Sequence, residues 1–270
     1  MQHLSPKEFV KNYTEIGYKK TVNSFWNLLL LGVFAGIFIG LGAALSNMVS
    51  HTLSDTATIR LLSGLVFPVG LVMVILTGSE LFTGNCLISI SCFNKKAAWS
   101  GMVRNLSIVY LGNFIGSVLL AFLLSYGNLL QYSSGGLAAY CVKVAVGKCS
   151  LSFLQAVISG ILCNFLVCTA VMLALSSPST IGKILGAYIP VFVFVTCGFE
   201  HSIANMFYVP VGIFANSFSS YRQAVLSAGT DVSNLSWGSF LISNLIPVTI
   251  GNIIGGIGFS AVIFGTNREK

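Results

Sequence analysis

Gly78-Ser79-Glu80-Leu81-Phe82-Thr83-Gly84-Asn85 and Gly198-Phe199-Glu200-His201-Ser202-Ile203-Ala204-Asn205 decide how this chain folds. The second stretch repeats the first 120 positions later, with glycine, glutamate and asparagine in the same register. Each interrupts a long apolar run. Of the seven acidic residues, only Glu80 and Glu200 lie inside such runs. An ionisable group at membrane depth costs about 2.5–3.5 kcal/mol even on a lenient insertion scale, so it marks a functional region. Two of them, symmetrically placed, imply one pathway built from two related halves.

The bulk composition agrees. The 270 residues have a mean hydropathy of +0.87 and only 8% charged residues. A soluble domain carries roughly 25% charged residues, so this is an all-α, polytopic membrane protein. The net charge of +7 raises the question of nucleic acid. The basic residues form no single patch, and neither zinc-ligand spacing nor an RNA-binding signature accompanies them, so no nucleic-acid partner is expected. No cleavable leader is expected either: the first 23 residues are polar, and the apolar run after them is long enough to span.

Six apolar segments, near 24–46, 62–93, 105–126, 152–175, 187–214 and 238–264, each approach or exceed the ~20 residues that cross a bilayer. The second and fifth are overlong and carry the glutamates at their middles, with Pro68, Pro190 and Pro210 in the same two segments. They read as broken helices, since irregular backbone at that depth is tolerated only when buried in protein or lining a cavity. The repeat extends further. Asn105-Leu106 and Gly112-Asn113-Phe114-Ile115-Gly116 in the third segment match Asn244-Leu245 and Gly251-Asn252-Ile253-Ile254-Gly255 in the sixth. Each half, 24–126 and 152–264, therefore holds three spans. Three is odd, so the second half enters from the opposite side, an inverted repeat with its site near the midplane.

Lys and Arg set the orientation. With both termini cytoplasmic, ten of the fourteen basic residues fall inside and four fall outside: Arg60, Lys143, Lys148 and Arg222. Residues 1–23 are expected to form a cytoplasmic amphipathic helix, with Ser5 as N-cap, Pro6 in the first turn and Glu8 closing a capping box. Phe9, Tyr13 and Ile16 are expected to face the bilayer surface, with Lys7, Lys11, Lys19 and Lys20 towards headgroups. The membrane domain is expected over 24–265 and a cytoplasmic tail over 266–270. Cys141 and Cys149 share one expected outer loop and raise the question of a disulfide; the other five cysteines read as small apolar filler.

Two stretches resemble the formate/nitrite transporter family. They are Leu76 to Leu87, with Gly78, Glu80, Leu81, Phe82 and Thr83, and Gly198 to Gly212, close to the family's signature. The resemblance covers nearly the whole chain, including Arg104-Asn105 and Asn164, which it implies to be a substrate-pathway residue. It implies an aquaporin-like six-helix protomer in the bacterial cytoplasmic membrane and a homopentamer. Each protomer would hold one pore for small anions or their conjugate acids, such as formate, nitrite or hydrosulfide. It also implies an outer hydrophobic ring at Phe67 and Phe194 and an inner slit at Leu71, Leu81 and Phe82. Gly84-Asn85 departs from the serine-rich residues that follow this threonine in formate channels, and the whole chain most resembles the bacterial hydrosulfide-channel branch.

The residues themselves point to an anion site. Glu200-His201 and Asn205 fall on the loop and opening turn of a half-helix, whose N-terminal N–H groups suit an anion. Thr83 comes from the opposing broken helix, and Lys148 is expected to attract anions at the outer mouth. His201 is the only histidine in an apolar segment and is the natural proton or hydrogen-bond donor. Glu80 and Glu200 are either direct ligands or braces. The brace is preferred, each carboxylate accepting from unpaired N–H groups at a helix break, because an ionised carboxylate repels an anion.

No cofactor or metal is expected. An enzyme is disfavoured because no HExxH or paired-aspartate pattern occurs. A receptor would need a sizeable soluble domain, and the longest loop spans only about 25 residues. A neutral-solute pore of the aquaporin kind would need paired Asn-Pro-Ala loops, and this chain has none.

Overall fold

The computed structural model describes residues 3–268. Among them the regular structure is entirely helical, and six helices are long and apolar enough to cross a membrane. A peripheral helix, α1 (Pro6–Val22), precedes the first span, α2 (Phe25–Ser50). The second span breaks into α3 (Thr56–Thr77) and the short α4 (Phe82–Phe93). The third, α5, covers Trp99–Tyr126. A buried connecting helix, α6 (Gly136–Cys149), leads to the fourth span, α7 (Phe153–Ser176). The fifth breaks into α8 (Thr180–Cys197) and α9 (Ser202–Ser217), and the sixth, α10, covers Trp237–Asn267.

Both expected breaks are present. Gly78 and Gly198 end their helices at φ of 70° and 75°, a left-handed turn that glycine adopts without a Cβ penalty. The spans begin earlier than expected at three places: Thr56 rather than 62, Trp99 rather than 105, Thr180 rather than 187. Arg60, Arg104 and Lys183 sit within the first six residues of these helices, where a long side chain can carry its charge outward while its backbone stays helical.

The two halves repeat in their packing. α2 lies on α5 through Gly32 and Gly36 against Gly112, Asn113 and Gly116; α7 lies on α10 through Gly160 against Gly251 and Gly255. A Cβ on Gly116 would collide with the Val33 carbonyl, and one on Gly251 with the Val157 carbonyl. Small residues let the backbones close to van der Waals contact, which drives association where lipid competes with every apolar side chain.

α1 departs from expectation. Its capping box is present, with Ser5 and Glu8 exchanging hydrogen bonds. Phe9 and Tyr13 do not face a bilayer surface, however: both are 1% exposed and pack with Leu87, Ile90, Cys168 and Phe259. Ser91 Oγ donates to the Thr14 carbonyl, and the Leu4 N–H to Ser176 O, so α1 is fastened to the protein beneath α4. Only Ile16 of the three is exposed. The second half-helix is too short to cover its own apolar face, and α1 supplies the missing wall. Of the expected tail 266–270, the last two residues lie outside the described residues, and α10 itself runs on to Asn267.

Cys141 and Cys149 lie on one helix, both buried and free. Eight residues at 1.5 Å rise put them about 12 Å apart, beyond the ~7 Å Cα limit for a disulfide. The expected outer loop is helical over Gly136–Cys149, which rules out the pairing.

Candidate functional site

The two breaks are held by mirror-image polar networks. In the first half Asn113 Oδ1 accepts from the Phe82 N–H at 3.0 Å, while its Nδ2 donates to the Gly32 and Glu80 carbonyls. In the second half Asn252 Oδ1 accepts from the Ser202 N–H at 2.9 Å, and its Nδ2 donates to the Gly160 and Glu200 carbonyls. Each asparagine thus caps a half-helix whose first N–H groups have no intrahelical partner, and satisfies two carbonyls freed by the break.

The glutamates brace their breaks, through partners other than those expected. Glu80 accepts from Lys20 Nζ at 2.7 Å and from Asn85 Nδ2 at 2.6 Å. Glu200 accepts from Lys148 Nζ at 2.8 Å and from Asn205 Nδ2 at 2.7 Å. Asn85 and Asn205 pass the network on to Asn105 and Asn244, whose amides donate to the Lys20 and Lys148 carbonyls. A π-helical turn over Phe240–Leu245 presents Asn244 to this network. The backbone N–H groups expected to meet the carboxylates go to Asn113 and Asn252 instead. Lys20, expected among headgroups, is instead the partly buried counter-ion of Glu80. A carboxylate this buried needs such a partner, because an unpaired charge there pays its full desolvation cost.

The twin networks are unequal in one respect. Lys20 reaches both Glu80 oxygens and Asn85 Oδ1. Lys148 reaches one Glu200 oxygen, and Asn205 Oδ1 has no hydrogen-bond partner among the described residues. Lys148 Nζ lies 5.3 Å from the Tyr208 ring centroid, a cation–π contact, at the floor of a cavity of about 460 Å³. The lysine expected to stand free at the mouth is therefore ion-paired and spends one of its three donors.

That cavity opens on the face opposite α1. Phe67, Phe194, Lys148, Glu200, His201 and Asn205 all line it. Phe67 and Phe194 meet edge-to-face with centroids 5.9 Å apart, and Phe194 stacks on the His201 ring at 5.9 Å. Beneath them His201 Nε2 lies 2.9 Å from Thr83 Oγ1, a contact between the two breaks. His201 Nδ1 accepts from the Ala204 N–H, capping α9. Because Nδ1 is an acceptor, the neutral ring carries its proton on Nε2 and donates to Thr83, whose own hydroxyl hydrogen is then not committed to the ring.

Leu71, Leu81 and Phe82 are each at most 4% exposed and lie outside the cavity lining, with Phe82 wedged against Tyr110 at 4.7 Å. Asn164 donates to the Asn252 carbonyl at 2.6 Å and packs under Gly256, so it supports α10 and does not line the cavity. Sequence reasoning placed Asn105, Asn113, Asn244 and Asn252 only as marks of the repeat, and missed Lys20. The signal was there: Lys20 and Lys148 each stand five residues before the first span of their half.

The sequence profile of the formate/nitrite transporter family matches residues 7–265. The chain belongs to that family. It is 35% identical to the "Formate channel FocA" of Escherichia coli (strain K12), over 94% of this chain and 90% of that one. It is also 35% identical to the "Formate channel BtFdhC" of Bacillus thuringiensis, over 100% and 98% of the two chains. Among solved structures it matches a "Pentameric formate channel with formate bound" at a TM-score of 0.81 and 34% identity, covering 90% of this chain and 96% of that one. This family comprises channels and transporters, not enzymes, and a family channel of six helices in two inverted halves is what the geometry above describes.

Proposed function

We propose that the chain conducts small monovalent anions and their conjugate acids, with formate as the first substrate. The observation that carries this is the hydrogen bond between Thr83 and His201, one from each break, directly beneath the Phe67–Phe194 ring. A passing anion there accepts the Thr83 hydroxyl and the His201 Nε2–H. The apolar rings above and below tax a bare charge heavily and a neutral acid far less. Passage therefore favours the species whose charge is best shared with these donors.

His201 acts as a neutral donor in this reading, because a proton on Nδ1 would displace the Ala204 cap. That refines the proton-lending role read from sequence. Lys148 draws anions to the cavity floor with its unspent donors, and Asn205 Oδ1 offers an acceptor to a protonated acid or water. Glu80, Glu200 and Asn164 hold these groups in place. Family membership and the relatives' names support formate. The hydrosulfide preference read from Gly84-Asn85 has no counterpart among those relatives' names and is kept as the competing substrate. The protomers are proposed to assemble as pentamers in a bacterial cytoplasmic membrane with both termini inside, an orientation that rests on the excess of Lys and Arg on the α1 face.

One flux series tests this. Proteoliposomes carrying the native chain or His201→Phe are challenged with formate, hydrosulfide, nitrite, acetate and chloride at two pH values. Formate flux well above chloride, reduced at least about tenfold by His201→Phe, is expected, since a buried donor is worth about 1.5–3 kcal/mol to a charged partner. Undiminished flux in the variant overturns the role of His201. Hydrosulfide outrunning formate overturns the substrate assignment alone.

A further inference from the structure

The outer cavity is larger and more cationic than conduction of an anion of three heavy atoms requires. At about 460 Å³ it falls in the range of pockets that enclose drug-sized ligands. Its lining contains three permanent cations, Arg60, Lys143 and Lys148, and a single carboxylate, Glu200. Lys148 neutralises Glu200. Arg60 and Lys143 are exposed and form no ion pair among the described residues. Two positive charges are thus left over in one concave space.

Their placement is specific. The Arg60 guanidinium lies over Gly198, where any Cβ would strike it, at the C-terminal end of α8. Gly198 is two residues before Glu200, so Arg60 and the Lys148–Glu200 pair share one side of the same break. Lys143 is on α6, five residues before Lys148 and about 7.5 Å from it along the axis. Tyr140 and Ser63 add hydroxyls to the same wall. The Phe67–Phe194 contact belongs to the same lining.

We propose that this cavity is a binding site for dianions, a short dicarboxylate being the fitting class, and that its occupant blocks the pore. One carboxylate engages the Arg60 fork, which suits bidentate capture. The other reaches Lys143 and the unspent donors of Lys148. A dianion cannot follow formate through the ring, because desolvation cost rises with the square of the charge and no cation stands between the two phenylalanines. The anion that binds best is therefore one that does not pass. The blocking half of this proposal rests on the channel reading; the binding half does not.

The experiment uses succinate as probe and butyrate, of the same length with one charge, as control. Binding is measured by calorimetry on the full chain in detergent, and block by formate flux in proteoliposomes with the probe on both sides. Succinate is expected to bind with one site per protomer and to slow formate flux, with butyrate inert. Arg60→Gln and Lys143→Gln are each expected to weaken binding and block by roughly fivefold, the scale of a partly screened ionic contact, and raised salt to weaken both further. Succinate binding unchanged in both variants, or equal binding of butyrate, overturns the proposal. Absent formate flux with intact, Arg60-dependent succinate binding overturns the channel reading and leaves the dianion site standing.

Discussion

At the scale of single residues, the two breaks depend on asparagines more than on the glutamates that first draw the eye. Asn113 and Asn252 each satisfy one N–H and two carbonyls of opened backbone. Asn113→Ala and Asn252→Ala each orphan three buried groups, so each is expected to cost about 3 kcal/mol or more. A fall in the thermal midpoint in detergent, similar for the two variants, checks this; a midpoint within a degree of native would refute it. The glutamates were legible because charge in an apolar run is rare. The asparagines were legible as repeat marks only, since an amide's partners depend on the fold around it. His201 was legible as a donor. Which nitrogen donates was decided by the Ala204 N–H, a contact set by how α9 begins.

At the scale of elements, α1 is part of the wall of the second break. Lys20→Met removes the counter-ion of Glu80 and is expected to cost about 2 kcal/mol or more, concentrated in α1 docking. Hydrogen exchange should rise across Pro6–Val22 and Phe82–Phe93 and leave Phe153–Ser176 unchanged. Pairing the variant with Glu80→Gln should restore much of the loss, because no buried charge is then stranded. The opening turn of α1 has its own dependence on acidity. The Ser5 side-chain and backbone hydrogen bonds hold the Glu8 carboxyl below its ordinary value. That stabilisation is present above the unfolded carboxyl's range and is lost as pH falls through the lowered folded value. Fraying of residues around Ser5 on acidification, followed by exchange at the first N–H groups, is the expected sign. The capping box was readable from Ser5, Pro6 and Glu8. The burial of Phe9 and Tyr13 was not, because an amphipathic face fits a bilayer surface and a protein groove equally well.

At the scale of the whole molecule, the inverted halves carry a cationic cavity on one face and a docked helix on the other, with the Phe67–Phe194 contact and the Thr83–His201 hydrogen bond in the interior. Phe194→Ala opens the ring and frees the face of His201, and is expected to raise flux of larger acids such as acetate relative to formate. An unchanged acetate-to-formate ratio would show that selectivity lies lower, at Leu71, Leu81 and Phe82. Native mass spectrometry is expected to give a pentamer, consistent with the many apolar side chains left exposed on one protomer. The sequence by itself determined the number of spans, the two breaks, the repeat that relates them, and the histidine and threonine at the centre. These follow from hydropathy, glycine geometry and the cost of charge in lipid, which act on short stretches of chain. Only the tertiary structure decided that Lys20 pairs with Glu80, that Lys148 is spent in part on Glu200, that Asn164 donates to the Asn252 carbonyl outside the cavity lining, and that Arg60 and Lys143 share a cavity. Each of those depends on residues tens of positions apart meeting across an interface, and no local pattern fixes which partner a buried charge will find.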